Sequence, residues 1–139
     1  MKHSFIVLSL TLLVYGFVSA QSDQPYRVVF DLTAKDSLEQ KAVLRWIREI
    51  TNENPKAELE VVMYGKGFEL VMPDRSAFPD EVRDAIKIPN VSFKVCRIAM
   101  KSNKIQPDQL FPGVQTVPDG IFEIMSKQRD QWGYIKVTH

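Results

Sequence analysis

The sequence predicts one α/β domain: a single three-layer α/β/α unit with a mostly parallel sheet of about five strands. Three observations lead there. Runs rich in β-branched and aromatic residues alternate with amphipathic helical runs along the chain, so successive strands are joined by crossovers. The stretch Glu58–Tyr64 passes from alternating to continuously apolar, as a strand covered on both faces does. The 139-residue chain carries no internal repeat and no low-complexity stretch, and suits one domain with a real core.

Each element follows from its residues. Tyr26–Leu32 is a first strand. Asp36 and Ser37, followed by Glu39 and Gln40, form a helix-start pattern. Leu38, Ala42, Leu44, Trp46, Ile47 and Ile50 then recur at helical spacing, predicting a helix from Ser37 to about Asn52, stopped by Asn54-Pro55. Glu58–Tyr64 is the second strand, and Gly65-Lys66-Gly67 a turn. Phe68–Met72 reads as a short helix ended by Pro73. Pro79–Ile86 reads as a helix with proline in its first turn. Val91–Cys96 is the third strand, followed at once by a short helix over Ile98–Asn103. Pro107–Leu110 is a helical turn and Gln115–Val117 a short fourth strand. Asp119-Gly120 starts a helix running from Ile121 to about Asp130, and Tyr134–Val137 closes the sheet.

The first 20 residues have the parts of a secretory signal: Lys2 and His3, an apolar run from Phe5 to Val18, and the small-residue pattern Val18-Ser19-Ala20. The run is shorter than the ~20 residues of a spanning helix. Cleavage after Ala20, a short leader over 21–25 and a domain over 26–139 are therefore expected, with export to a compartment such as the bacterial periplasm and no membrane attachment afterwards. Lys2 is the only Lys, Arg, Asp or Glu removed, leaving 17 basic and 17 acidic residues and no net charge. A nucleic-acid binder would need a basic excess to displace counterions, so that class is not expected.

Cys96 is the only cysteine. An exported protein normally pairs its cysteines, so a lone one is either a small buried hydrophobe or a thiol kept for its reactivity. It closes the third strand, where α/β proteins gather their chemistry, and a helix start follows whose amides favour a thiolate. Arg97 stands next to it. Gly65-Lys66-Gly67 lies at the same edge; as glycines there can bring amides to an anion, Gly65, Lys66, Gly67 and Arg97 are candidate anion-stabilising residues, with a plain turn as the simpler reading of the glycine segment. Asp36 is expected to be a helix cap, and Asp31 has no assigned role. Trp46 is expected in the core, and Trp132 with Tyr134 at a subunit contact. After the signal the only histidine is His139, the last residue. Ser-His-Asp and Cys-His mechanisms and a His/Cys metal cluster are therefore not expected, and no cofactor is indicated. A cysteine without a histidine base suits thiol or persulfide exchange better than acyl transfer.

Three segments in order resemble the DsrE/DsrF-like family, which includes the DsrE and TusD sulfur-relay proteins. They are Val61-Val-Met-Tyr-Gly65-Lys-Gly67 with Phe68-Glu-Leu70; Val91-Ser-Phe-Lys-Val-Cys96-Arg-Ile-Ala-Met100-Lys; and Leu110-Phe-Pro-Gly113-Val with Val117-Pro-Asp-Gly120, the last common in shorter, often exported members. The likeness spans Tyr26 to Val137. It implies a flavodoxin-like three-layer arrangement, assembly into homo-trimers or hexamers, sulfur donor and acceptor proteins as partners, and at Cys96 a cysteine that accepts a persulfide and passes it on. Two functions are carried forward: an exported sulfur carrier or sulfurtransferase using Cys96, and a non-catalytic oligomeric binding module in which Cys96 is structural.

Overall fold

The computed structural model describes residues 25–138; the expected signal at 1–20, residues 21–24 of the expected short leader and His139 lie outside the described residues. Five strands form one parallel sheet: β1 (Arg27–Leu32), β2 (Glu58–Met63), β3 (Val91–Cys96), β4 (Gln115–Val117) and β5 (Gly133–Lys136). The helices are α1 (Ser37–Glu53), α2 (Pro79–Ile86), α3 (Arg97–Ser102) and α4 (Gly120–Arg129), with 3₁₀ turns at Gly67–Val71 and Pro107–Gln109. The class and elements are those the pattern predicts. Asp36 caps α1, its Oδ1 accepting from the amides of Leu38 at 2.8 Å and Glu39 at 3.1 Å. Asp119 does the same for α4, accepting from Ile121 and Phe122.

The strand order is β4-β3-β2-β1-β5. The layers are those expected, but the order is its own. In a flavodoxin-like sheet β1 lies between β2 and β3, whereas here it lies between β2 and β5. The first three crossovers all step the same way across the sheet, so α1, α2 and α3 share one face. The fourth crossover returns past β1 to β5 and puts α4 on the other face.

The two faces differ sharply. Phe30, Leu32, Leu59, Val61, Met63, Phe93 and Val95 meet Val43 and Ile47 of α1, Val82 of α2 and Met100 of α3 in the main core. Trp46 packs against this core and stacks on Phe30 at 6.1 Å between centroids. Under α4 the apolar cluster is only Val29, Val62 and Ile124, with Tyr64 and Trp132 packed beside it. The rest of that face is largely polar, with Asp31, Glu60, Lys94 and Lys136 among its residues.

Backbone packing locks the β2 exit onto β1. Gly65 has φ +58°, and a Cβ on it would come within 2.8 Å of the Thr33 carbonyl oxygen. A Cβ on Gly67 would overlap the Leu32 carbonyl oxygen outright. At Gly133, by contrast, a Cβ would meet nothing nearer than 3.4 Å. Gly67→Ala is therefore expected to destabilise the protein by about 3 kcal/mol or more, the overlapped atom being rigid backbone. Gly133→Ala should stay within about 1 kcal/mol of the parent. Urea unfolding of the two variants checks this; similar midpoints would overturn it.

Candidate functional site at the carboxyl edge of the sheet

In an open parallel sheet, ligands gather where neighbouring strands send their chains to opposite faces. Here that place lies between β3 and β4, since β3 runs into α3 on one face and β4 into α4 on the other. Cys96 stands there. It is the last residue of β3, the residue preceding the first turn of α3, and the register partner of Val117 on β4.

Alternation along the strands decides which way each side chain points. Phe93 and Val95 face the main core, so Ser92 and Lys94 face α4, while Cys96, at the strand end, packs at the border of the main core with its Cβ beside the start of α4. On β2, Glu60 and Val62 share that face, and Tyr64, one residue beyond the strand, continues it into register with Cys96. A Cβ on Gly120, the first residue of α4, would lie 3.1 Å from the Cys96 Cβ, 3.3 Å from Val62 Cγ1 and 3.5 Å from Tyr64 Cδ1. The thiol is thus housed by Val62, Tyr64 and the bare backbone of Gly120. It is only 4% exposed. Three exposed apolar side chains surround this edge from the first turns of α3 and α4: Ile98, Ile121 and Phe122.

Two polar clusters flank the thiol on the α4 face. The deeper one centres on Glu60, which is 2% exposed. Its Oε2 receives Lys94 at 2.8 Å, Lys127 at 2.9 Å and the Ser92 hydroxyl at 3.3 Å, while Lys94 also reaches Glu123 on α4 at 2.9 Å. Burial alone would lower the Lys94 ammonium, but its hydrogen bonds to Glu60 and Glu123 outweigh that and raise it above its ordinary value. At Glu123 burial pulls upward and is outweighed by the hydrogen bond and charge of Lys94, leaving the carboxyl below its ordinary value. Lys127 also lies over the Trp132 ring at 4.2 Å.

The second cluster stands at the ends of β1 and β5. Asp31, 4% exposed, accepts from Tyr134 Oη at 2.7 Å and Tyr64 Oη at 3.2 Å on Oδ2, and from Lys136 Nζ at 3.1 Å on Oδ1. Lys136 also donates to Thr33 Oγ1 at 2.8 Å and lies over the Tyr64 ring at 5.6 Å. Tyr64 therefore links the two sides of the edge: its ring adjoins Gly120 and Cys96, and its hydroxyl is held by Asp31.

The expected anion cradle is only partly assembled. The amides of Lys66 and Gly67 donate within the fold, to the carbonyls of Thr33 at 2.9 Å and Tyr64 at 3.0 Å. Gly65 and Gly67 abut the end of β1, two strands away from Cys96. The turn thus packs against the end of β1. Arg97 is exposed and directly follows Cys96. Tyr134 and Trp132, expected at a subunit contact, each hold an intramolecular position, on Asp31 and beneath Lys127. Among the described residues no group of three or more His, Cys, Asp or Glu side chains is placed to hold a metal ion, and no helix is long and apolar enough to cross a membrane.

Sequence reasoning left Asp31 without a role and missed both clusters. A signal was present: Asp31, Glu60, Lys94 and Lys136 are charged positions inside otherwise apolar strands, and the strand period puts all four on one face.

The chain is similar to the solved structure of a protein of unknown function, MTH1491 from Methanobacterium thermoautotrophicum, with a TM-score of 0.75 and 26% identity over 80% of this chain and 98% of that one. The likeness agrees with the α/β architecture. No protein-family model matches the chain, and no curated protein matches it.

The hydrogen bond to Asp31, with burial and the same carboxylate's charge behind it, pushes the Tyr134 hydroxyl up to about 12. Tyr64 is raised too, by burial first and then by Asp31. A phenol raised on folding contributes stability that is present below its unfolded value, about 10, and is lost as pH rises through the folded value. Unfolding free energy should therefore hold up to about pH 10 and fall between there and about pH 12. Asp31→Asn should bring Tyr134 back toward 10 in an ultraviolet titration and flatten that fall. An unchanged tyrosine titration in the variant would show that Asp31 is not the cause.

Proposed function

We propose that this chain is an exported sulfur carrier of the DsrE-like kind, holding a sulfane sulfur as a persulfide on Cys96. The observation that carries the reading is the place of the lone thiol: the switch point between β3 and β4, beside the start of α4, under a residue with no side chain. The family resemblance of the segment Val91–Lys101 supports the same role.

The chemistry needs no histidine and no external oxidant. The Cys96 thiolate attacks the terminal sulfur of a donor persulfide. A bond forms from Sγ to that sulfur, the donor's own S–S bond breaks, and the donor leaves as its thiolate. One sulfane sulfur moves and the electron count is unchanged. Release to an acceptor thiolate is the same step in reverse. Arg97 stands at the rim to meet an anionic group. The role envisaged for Gly65, Lys66 and Gly67 is not part of this reading, since the Lys66 and Gly67 amides serve the fold.

Partners belong to the same proposal. Ile121, Phe122 and Met125 are exposed together on the outer side of α4, with Ile98 near Cys96. Contiguous exposed apolar surface suits contact with another protein, here further copies of this chain as a trimer or hexamer, or a sulfur donor.

One observation favours the second reading, an oligomeric binding module with a structural cysteine. Cys96 is 4% exposed and packs against Gly120, as an inert core thiol does.

Intact mass of the purified protein separates the two. After treatment with polysulfide, the carrier reading expects a gain of one sulfur atom, reversed by reductant and absent in Cys96→Ser. A thiol that gains nothing and also resists alkylation in the native state overturns it in favour of the module.

A further inference from the structure

On the layer opposite α4, α1 and α2 part around a cleft of about 320 Å³. Its floor is apolar, with Leu44 and Ile47 from α1 and Phe78 and Ala85 from the α2 side. Its walls are charged and opposite in sign. Lys41, Arg45 and Arg48 stand on α1, and Glu81 and Asp84 on α2. Among the described residues no ion pair crosses this cleft. Arg45 meets Glu49 on its own helix at 3.7 Å, and Asp84 meets Lys87 at the end of its own at 3.2 Å. Among the described residues, the side chains of Lys41, Arg48 and Glu81 have no hydrogen-bond or ion-pair partner across the cleft. Two cations and an anion are therefore left facing a gap floored by hydrocarbon.

We propose that this cleft binds a small zwitterion with an apolar body, of the size of an apolar dipeptide. Each feature of the cleft answers one part of such a molecule. The floor takes its side chains. Glu81 takes its ammonium, and Lys41 or Arg48 its carboxylate, through charge-assisted hydrogen bonds. The volume is at the lower end of the range for small-molecule sites, about 300–1,000 Å³, which excludes large ligands. The reach also fits. Positions 41, 45 and 48 recur on one side of α1 and span about 10 Å, while an extended dipeptide spans about 7 Å. A purely apolar ligand would leave the wall charges facing it without partners, and a simple anion would be opposed by the acidic wall. The site shares no residue with the Cys96 edge and lies on the other face of the sheet, so it stands or falls independently of sulfur transfer.

The test is an NMR titration of the isotope-labelled protein with the dipeptide Leu-Phe, alongside its N-acetylated and C-amidated forms, and with Arg48→Gln and Glu81→Gln. Both variants alter exposed side chains, and their unperturbed spectra elsewhere serve as the folding control. The expected result is saturable shifts confined to the amides of α1 and α2. Each cap and Glu81→Gln should weaken binding at least about tenfold. Arg48→Gln should do the same unless Lys41 carries the carboxylate, in which case Lys41→Gln does. Absence of saturable shifts overturns the proposal. So does equal binding of the N-acetylated form, which would mark a site for anionic amphiphiles, or equal binding of both capped forms, which would mark a merely apolar groove. Concentration-dependent shifts of the same amides without peptide would show the cleft covered by a second copy, and would overturn it as well.

Discussion

The carboxylate of Glu60 is the constraint on which the second face of this molecule depends. One ten-residue helix, α4, covers that face, and its apolar contribution to the cluster beneath it is Ile124. So little hydrocarbon cannot by itself fix a helix at one depth and one rotation, because apolar contact is non-directional. Glu60 supplies direction. Its Oε2 draws in Lys94 from β3 and Lys127 from α4, and Lys94 in turn holds Glu123 of α4. Such a network is costly to bury, and replacing it with hydrocarbon is often neutral or stabilising elsewhere. What it contributes here is placement. Three elements meet at one carboxylate, and a shift of α4 along the sheet would strand a buried charge.

The position of Gly120 over Cys96 follows from that placement. Gly120 precedes Glu123 by one helical turn, so the ion pair that seats Glu123 also sets the height of the first residue of α4. The absence of a Cβ lets the helix start come down against the Cys96 Cβ and the Tyr64 ring. The Asp31 cluster works on the other side of Tyr64, where three donors converge on one buried carboxylate and keep the phenol from swinging toward solvent. Charge on this face thus does what shape complementarity does on the other: it leaves one arrangement of side chains around the site.

Much of the fold was legible, and particular residues show why. Asp36 and Asp119 announce helix starts through a local interaction, a carboxylate meeting amides two and three residues on, so a linear reading finds them. Strand runs such as Val28–Leu32 and Val91–Cys96 likewise carry their burial in their own composition. The strand order was not legible, because whether β5 joins β1 or β4 depends on which way a crossover turns. For the same reason the placement of Cys96 at a strand end could be read, but its environment could not. Tyr64, Gly120 and Val62 come from three separate segments that meet only once α4 crosses the sheet. Glycine permits close approach of backbone to anything, and here the near neighbour is the β1 backbone instead of a ligand.

The architecture also bears on how a thiol this enclosed would react. On the α4 side Cys96 is covered by the bare backbone of Gly120, and behind it by side chains of the main core. Admission of a second sulfur therefore asks for movement of α4, and α4 is held by ionic contacts placed one turn beyond Gly120. Such contacts are directional and partly exposed at Glu123 and Lys127, whereas behind β3 the side chains of Phe93, Val95 and Met100 are buried in the main core. Any opening toward Cys96 would then come from the α4 side, where Ile121 and Phe122 already stand exposed. A partner seated on those two side chains would act directly on the first turn of α4.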